Sequence, residues 1–138
     1  FNRAVANPRA LRTAGTPGAY ASVIHHVGRR TGRLYRTPVV AEPTDDGFVI
    51  ALPYGTTSNW VRNVLASGSA TIVEEGATHQ VDRPELVPLA VMADHFSTKD
   101  RRNFDRFKVD RCLRLRRIDH AEASRKVAAA LETSVSES

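Results

Sequence analysis

Two closely spaced turns constrain the fold of this chain more than any other feature of its sequence. The first is Gly28-Arg29-Arg30-Thr31-Gly32 and the second is Thr44-Asp45-Asp46-Gly47, whose Asp-Gly pair tolerates positive φ at little cost. They separate three runs rich in β-branched and apolar residues, at 20–27, 34–42 and 48–52. Connections this short join antiparallel strands, whereas parallel strands need a long crossover. The sequence therefore predicts consecutive hairpins.

A helix is predicted after the third strand. Thr57 or Ser58 would cap its start, and Gly68 would end it. Helical periodicity then divides the side chains between two faces. The packed face would carry Trp60, Val61, Val64 and Leu65, and the opposite face Asn59, Arg62 and Asn63.

The second half of the chain predicts more strands and helices around the same core. A second hairpin joins 71–74 to 78–83 through Glu75-Gly76, and Pro84 and Pro88 are expected to end its regular structure. Helices are predicted over 89–96, 99–107 and 121–131, and a final strand over 111–118. Residues 1–18 are expected to form an arm or a helix, and 134–138 a frayed tail. With about six strands and no βαβ alternation, the fold class is mainly β: a small antiparallel β-barrel with packed helices.

Length and composition fit one domain spanning 1–138. At 41% hydrophobic and 25% charged residues, the chain can bury a sheet-based core. No apolar run approaches the roughly 18 residues of a membrane span, so a soluble protein is expected. Cys112 has no disulfide partner, which fits a buried structural thiol and a cytoplasmic location. Because the chain starts at Phe1 rather than Met, a preceding targeting or membrane-binding segment stays open.

The net charge of +5 and a pI near 10.0 favour an anionic partner. Nucleic acid, a membrane surface and a phosphorylated ligand all satisfy that condition, and peripheral membrane contact is not predicted. Phe104 and Phe107 lie within a basic segment that would suit single-stranded nucleic acid. Strand alternation instead favours a solvated basic face, so nucleic acid is not predicted as a partner. The segment's cations are Lys99, Arg101, Arg102, Arg106, Lys108, Arg111, Arg114, Arg116 and Arg117.

The first turn is the best candidate for a phosphate site. Its glycines let the backbone approach a ligand, and Arg29 and Arg30 can bind phosphate bidentately. An ordinary solvated turn would have the same composition. Arg36, on the strand that leaves the turn, either joins this cluster or is a surface residue. Pro38 in the same run indicates an edge strand or a bulge, because proline cannot donate to a ladder.

A flat polar ring would suit the loop and helix that follow the third strand. Pro53-Tyr54-Gly55 leads into a helix N-terminus, which offers backbone donors. Asn59 and Asn63 can each donate and accept, although both could equally be solvated, and Trp60 is either a cofactor wall or core. His25 and His26 are not predicted to bind a metal, since adjacent strand residues point to opposite faces. The sequence also has no motif for nucleophilic catalysis, such as a Gly-x-Ser-x-Gly elbow.

Taken in order, these segments resemble the deazaflavin-dependent nitroreductase family of actinobacteria. The resemblance covers about 23–72 and rests on the first turn, Tyr35-Arg36-Thr37-Pro38, Asp46-Gly47-Phe48-Val49-Ile50-Ala51, Tyr54-Gly55 and Asn59-Trp60-Val61-Arg62-Asn63. It implies a split β-barrel that binds coenzyme F420, a deazaflavin with a phosphate and oligoglutamate tail. Arg29, Arg30 and Thr31 would then lie on the tail side. The ring would be held by Ala51, Leu52, Pro53, Tyr54, Gly55, Trp60 and Asn63.

The activity implied by the resemblance is hydride transfer from the reduced deazaflavin to a quinone, enone or nitroaromatic acceptor. Tyr54 is the candidate proton donor. The family's prodrug-activating branch has a Ser-Lys pair where this chain has Pro53-Tyr54, so turnover of nitroimidazoles stays open. An FMN enzyme of the same architecture and a non-catalytic cofactor- or lipid-binding barrel are the alternatives. A homodimer is expected because many split barrels complete their site at a dimer interface.

Overall fold

The computed structural model describes residues 13–19, 21–119, 128–129 and 131–132. Seven strands and three α-helices lie in this part of the chain, with a short 3₁₀ turn at Ala93–His95. The strands are β1 Ser22–Val27, β2 Leu34–Val39, β3 Ala41–Pro43, β4 Gly47–Ala51, β5 Ser69–Glu74, β6 Ala77–Pro88 and β7 Arg111–Arg117. The helices are α1 Asn59–Ser67, α2 Leu89–Met92 and α3 Thr98–Arg106.

All seven strands form one antiparallel sheet that curls into a half-barrel. Their order is β2-β1-β5-β6-β7-β4-β3, so β2 and β3 lie at the two edges. Only Val40 separates these two edge strands along the chain. A flat seven-stranded sheet would hold its edges far apart, and the single connecting residue therefore requires the sheet to curl. The predicted antiparallel split barrel is confirmed, with seven strands rather than about six.

Apolar side chains cover both faces of this sheet. The larger cluster fills the inside of the curl beneath α1, and the smaller one lies on the outer face beneath α2 and α3. Phe48 and Ile50 of β4 point into the first cluster and Val49 and Ala51 into the second, which explains the uninterrupted apolar run of this strand. The first cluster contains Ile24, Val39, Ala41, Phe48, Ile50, Leu52, Val61, Val64, Ala70, Ile72, Val81, Leu113 and Leu115. The second contains Val49, Ala51, Val87, Met92, Phe96, Phe104, Val109 and Cys112.

Both turns form as predicted, although Gly47 has a different function from the expected one. Its φ is not positive; instead β4 approaches β7 so closely that a Cβ on Gly47 would overlap the carbonyl oxygen of Leu115. The turn is held by hydrogen bonds from Thr44 N to Gly47 O (2.9 Å) and from Gly47 N to Thr44 Oγ1 (3.0 Å). Close strand packing, and not backbone freedom, requires glycine here.

The predicted second strand, 34–42, was wrong as a single element. It divides at Val40 into β2 and β3, which pair with β1 and β4 at opposite edges. Burial explains the division, because β2 is exposed at its first three residues whereas Val39, Val40 and Ala41 are buried. Pro38 lies on an edge strand, as its missing N–H predicted.

The expectation that Pro84 and Pro88 interrupt regular structure was also wrong. β6 continues through both residues to Pro88, with a bulge between Asp82 and Glu85 at which the register with β7 shifts. Arg83 adopts positive φ (53°) at this bulge. A bulge is a position where a strand tolerates proline without losing a ladder hydrogen bond.

Helix α1 begins and ends where predicted but is rotated from the predicted orientation. Its N-cap is Ser58, and Gly68 adopts the left-handed conformation at its end. Val61 and Val64 are fully buried as expected, whereas Leu65 is exposed and Asn63 is only 5% exposed. The buried arc is thus displaced toward Asn63, which faces β1 and the first turn.

The remaining predictions divide between confirmed ones and ones that fall outside the described residues. The second hairpin, the helices over 89–96 and 99–107, the final strand and the burial of Cys112 are confirmed. Most of the predicted arm at 1–18, most of the predicted helix at 121–131 and the tail at 134–138 lie outside the described residues. Within the described residues, no helix combines the length and the apolar character needed to span a bilayer.

Candidate functional site

A polar groove lies between the first turn, β2 and the start of α1. Its volume is about 500 Å³, within the range of sites for small molecules and cofactors. Seven of its lining residues were predicted as site residues, and the others are His26, Gly28, Tyr35 and Thr37. The predicted ones are Arg29, Arg30, Thr31, Arg36, Asn59, Trp60 and Asn63. The structure therefore brings the proposed phosphate residues and the polar face of α1 to one place.

The first turn is fastened to α1 through Arg29. The backbone N–H of Arg29 donates to Asn63 Oδ1 (3.1 Å), and its Nη1 donates to the same oxygen (2.8 Å). The guanidinium also contacts Asn59, through Nη2 to Oδ1 (3.3 Å) and Nη1 to the carbonyl oxygen (3.5 Å). Since several of its N–H donors are occupied within the protein, Arg29 connects the first turn to α1.

Asn63 connects this tie to a buried histidine. Its Nδ2 lies 3.1 Å from His26 Nδ1, and His26 Nε2 lies 2.9 Å from Thr37 Oγ1. The His26 side chain points to the inside of the curl, on the same face as Ile24. Burial, with a smaller contribution from His25, lowers the pKa of His26 below its usual value of 6.5. His26 is therefore neutral at pH 7, with one ring nitrogen donating and one accepting.

Tyr35 covers the other side of His26. The two rings stack with their centroids 5.9 Å apart, as their cross-strand pairing on β1 and β2 allows. The Tyr35 hydroxyl lies 3.0 Å from Thr31 Oγ1, which also accepts from the Arg33 backbone N–H (3.2 Å). A Cβ on Gly28 would overlap both the Tyr35 ring and the Thr31 hydroxyl. Glycine at position 28 thus lets the aromatic wall pack against the turn.

Arg30 and Arg36 line the groove but take no part in the hydrogen bonds described above. Both are exposed, and within the described residues neither side chain forms a hydrogen bond or an ion pair. No Asp or Glu lines the groove among these residues. Guanidinium groups beside a glycine-containing turn are the donors that phosphate and carboxylate ligands prefer.

Trp60 lies at the boundary between the core and the groove. It packs against the main hydrophobic cluster and is only partly buried, so part of the indole also lines the groove. This placement gives the polar groove one large aromatic surface, beside the amides of Asn59 and Asn63.

Six of the predicted site residues do not line this groove. Ala51 and Leu52 are buried in the two hydrophobic clusters, on opposite faces of the sheet. Pro38 is half-buried on β2, and Pro53 and Gly55 belong to the turn ahead of α1, closed by a hydrogen bond from Gly55 N to Leu52 O (3.0 Å). Tyr54 in this turn is 64% exposed.

Sequence reasoning missed His26, Tyr35 and Thr37 as parts of the site. One pattern could have found them: across a hairpin closed by Gly28 and Arg33, His26 pairs with Tyr35, and Thr37 follows two residues later on the same face. Polar side chains would then continue the inward face that begins with Ile24. His26 was considered only as a possible metal ligand, so its position facing Tyr35 and Thr37 was not predicted from the sequence.

The fold and the groove define an antiparallel split-barrel protein with a cationic site for an anionic ligand. A family model described as F420H(2)-dependent quinone reductase matches residues 5–104. The chain belongs to this family; it is an F420H₂-dependent oxidoreductase, and its cofactor is coenzyme F420. No curated protein matches the sequence.

The groove residues fit this cofactor. An anionic tail needs cations without acidic neighbours, and Arg30 and Arg36 meet that condition. A deazaflavin ring needs an aromatic or apolar surface and groups that donate and accept hydrogen bonds, which Trp60, Thr37 and Asn59 supply. The volume of about 500 Å³ accommodates part of such a molecule.

Proposed function

We propose that this oxidoreductase reduces a quinone or another electron-poor acceptor, such as an enone or a nitroaromatic, and that the groove at the first turn holds the cofactor. When bound, reduced F420 supplies the hydride, and the protein supplies binding, orientation and exclusion of water. The observation that carries the proposal is the pair of exposed cations, Arg30 and Arg36, on a groove that no acidic residue lines in the described part of the chain.

Each part of the groove has a role in this proposal. Arg30 and Arg36 bind the anionic tail, while Arg29 holds the turn against α1 and so fixes the position of Arg30. Trp60 gives the ring a surface to pack on, the hydroxyl of Thr37 offers a hydrogen bond to its oxygens, and Thr31 lies on the tail side with Arg30. Ala51, Leu52, Pro53 and Gly55 are assigned to the ring side on the family resemblance alone. Their backbone could contribute there, since the side chains of Ala51 and Leu52 are buried.

The test is a titration of the purified protein with oxidised F420, followed by ligand fluorescence, with FMN titrated in parallel. We expect saturable F420 binding that is weakened in Arg30→Ala and tighter than the binding of FMN. Oxidation of F420H₂ would then be measured with a quinone, an enone and a nitroaromatic, and the quinone is expected to be turned over fastest. Preference for FMN, or the same affinity in Arg30→Ala, would contradict the assignment of the groove.

Tyr54 is proposed as the proton donor to the reduced acceptor. Its exposed phenol lies in the turn ahead of α1, where a substrate can reach it. Tyr54→Phe should lower kcat for a quinone about tenfold or more if the phenol supplies the proton. The affinity of the variant for F420 should not change. An unchanged kcat would assign the proton to solvent.

The assembly and location proposed for the protein are a homodimer in the cytoplasm. Edge strand β2 lies directly beside the groove, so a second subunit seated there would border the cofactor site. Sedimentation of the purified protein with and without F420 measures the oligomeric state, and a monomer under both conditions would exclude the dimer.

A further inference from the structure

Three side chains of the groove form a directional hydrogen-bond chain, and its direction is set by Arg29. Arg29 offers only donors, and two of them point at one atom of the Asn63 amide. That atom must be the amide oxygen, because an NH₂ group would face two donors. The amide is therefore held in one of its two orientations.

The orientation of the Asn63 amide determines the tautomer of His26. With the oxygen turned to Arg29, the NH₂ group faces His26 Nδ1 at 3.1 Å and donates to it. A neutral imidazole that accepts at Nδ1 carries its proton on Nε2. The Nε2–H then donates to Thr37 Oγ1 at 2.9 Å.

The last member of the chain is Thr37, whose hydroxyl has one hydrogen to donate. Because Thr37 Oγ1 already accepts from His26, its own proton is free to point into the groove that Thr37 lines. Among the described residues Thr37 forms no other side-chain hydrogen bond. The hydroxyl is thus biased toward donating to the ligand.

We propose that Asn63 and His26 are positioning residues that orient the Thr37 hydroxyl as a hydrogen-bond donor to an oxygen acceptor of the bound cofactor. The proposal rests on the assignment of the groove as the cofactor site. It predicts that the site selects a ligand with an acceptor at this position, and that the selection depends on Nε2 of His26 carrying a proton.

Protonation of His26 breaks the chain at the Asn63 contact. In an imidazolium, Nδ1 carries a proton and faces the NH₂ group of Asn63, so two donors meet. If the Asn63 amide turned over to accept from Nδ1, its NH₂ group would face the N–H donors of Arg29 instead. The titratable and charged groups around His26 are His25 on its own strand, Tyr35 on β2 and Arg29 in the turn. None of them is a carboxylate that would favour the cation, and from α1 the ring contacts the uncharged Asn63. The charged ring still donates from Nε2 to Thr37 Oγ1, so acidification should disturb the Asn63 contact without reversing the Thr37 hydroxyl.

Nitrogen-15 NMR of the histidine rings tests the chain without any cofactor. In the wild-type protein we expect His26 to carry its proton on Nε2 and to titrate below pH 6.5, the resonances being assigned by their loss in His26→Gln. Asn63→Asp should reverse this pattern. Its carboxylate can accept from Arg29 and from His26 Nδ1–H together, so the proton should move to Nδ1 and the pKa should rise. A wild-type His26 protonated on Nδ1 at pH 7 would overturn the proposal.

F420 affinity tests the role of Thr37. Thr37→Val removes the hydroxyl with little change of shape and should weaken binding about threefold to tenfold, whereas Thr37→Ser should keep most of the affinity. At a pH high enough to keep His26 of the variant neutral, Asn63→Asp should weaken F420 binding as Thr37→Val does, because the reversed chain turns the Thr37 proton toward His26. His25→Gln, on the opposite face of β1, is the matched control and should leave the F420 affinity unchanged. Equal affinities of Thr37→Val and wild type would refute the inference while leaving the proposed function intact, and no F420 binding by the wild-type protein would refute the latter.

Discussion

The arginines of β7 and those of the groove are the same side chain in two different electrostatic settings. On β7, Arg116 forms a bidentate ion pair with Asp82 (3.0 and 3.1 Å), and Arg114 pairs with Asp46 (3.1 Å). The next arginine, Arg117, lies over the ring of Phe48 with 5.3 Å to its centroid. In the groove, Arg30 and Arg36 have no such partner among the described residues.

We use this difference in local pairing, and not the number of cations, to place the proposed anion site. The basic segment that ends in β7 is the densest in the sequence, yet the structure gives three of its strand arginines, Arg114, Arg116 and Arg117, acidic or aromatic neighbours within the protein. The groove has fewer cations but no carboxylate to neutralise them. A high pI alone would have directed attention to the wrong region.

The largest effect is expected from removing both unpaired groove cations. Arg30→Ala combined with Arg36→Ala should weaken F420 binding by about 3 kcal/mol, or about a hundredfold, since each lost charge-assisted hydrogen bond contributes about 1.5 kcal/mol or more. The dissociation constant of the wild-type protein should also rise with salt more steeply than that of the double variant. Fluorescence titration at two salt concentrations measures both effects.

Arg114→Ala is the control for this experiment because it removes the same charge from a paired arginine outside the groove. It should leave the F420 affinity within about twofold of the wild type, since an exposed pair at this distance from the groove contributes little. A loss of affinity equal to that of Arg30→Ala would mean that overall charge, rather than the groove, attracts the ligand.

The ion pair of Arg116 should matter for stability and not for binding. Asp82→Asn removes the partner of a partly buried arginine beside the β6 bulge, where the Asp82 side chain is 11% exposed. We expect the free energy of unfolding to fall by about 2 kcal/mol, because an arginine left without its carboxylate loses charge-assisted hydrogen bonds. Urea unfolding measures this change, and F420 affinity should remain that of the wild type.

Asp94→Asn provides the comparison for Asp82→Asn. Asp94 is fully exposed and its contact with Arg101 is long, at 3.7 Å, so its replacement should not change the unfolding midpoint. If the two variants had the same unfolding midpoint, the partly buried pair of Arg116 and Asp82 would contribute no more to stability than the exposed contact of Asp94.

Much of this fold could be predicted because its determinants are local. Short turns, apolar runs and the glycine that ends α1 lie close together in the sequence, and each one decides a structure on its own. The division at Val40 and the bulge near Arg83 could not be read in this way. Both depend on how far the sheet curls and on which strand becomes its neighbour, which is a property of the whole sheet.

The site shows the same limit. Arg30, Arg36 and Trp60 were predicted because their residue types suit a cofactor at those positions. Arg29 was predicted as a phosphate ligand, and its bonds to Asn63 became visible only when α1 was placed against the first turn. The orientation of α1, displaced from the predicted arc, also explains why Asn63 is buried and reaches His26. Contacts between elements, rather than motifs within them, decide which polar residues bind the ligand and which hold the others in place.

The smallest effect is expected at the exposed pair of Arg114 and Asp46. Partial burial would raise the pKa of Asp46, but hydrogen bonds from Thr44 and Arg114 and the charge of Arg114 outweigh it and lower the pKa below its usual 3.8. A carboxylate with a lowered pKa in the folded state stabilises the protein above its unfolded-state pKa, and this contribution is lost as the pH falls through the folded-state pKa. Asp46→Asn should therefore lower the free energy of unfolding by about 0.5 kcal/mol at pH 7, and the difference from the wild type should vanish as the pH falls well below 3.8. Urea unfolding across this pH range measures the effect. A difference that persisted in acid would show that the Thr44 turn is held by the shape of the Asp46 side chain rather than by its charge.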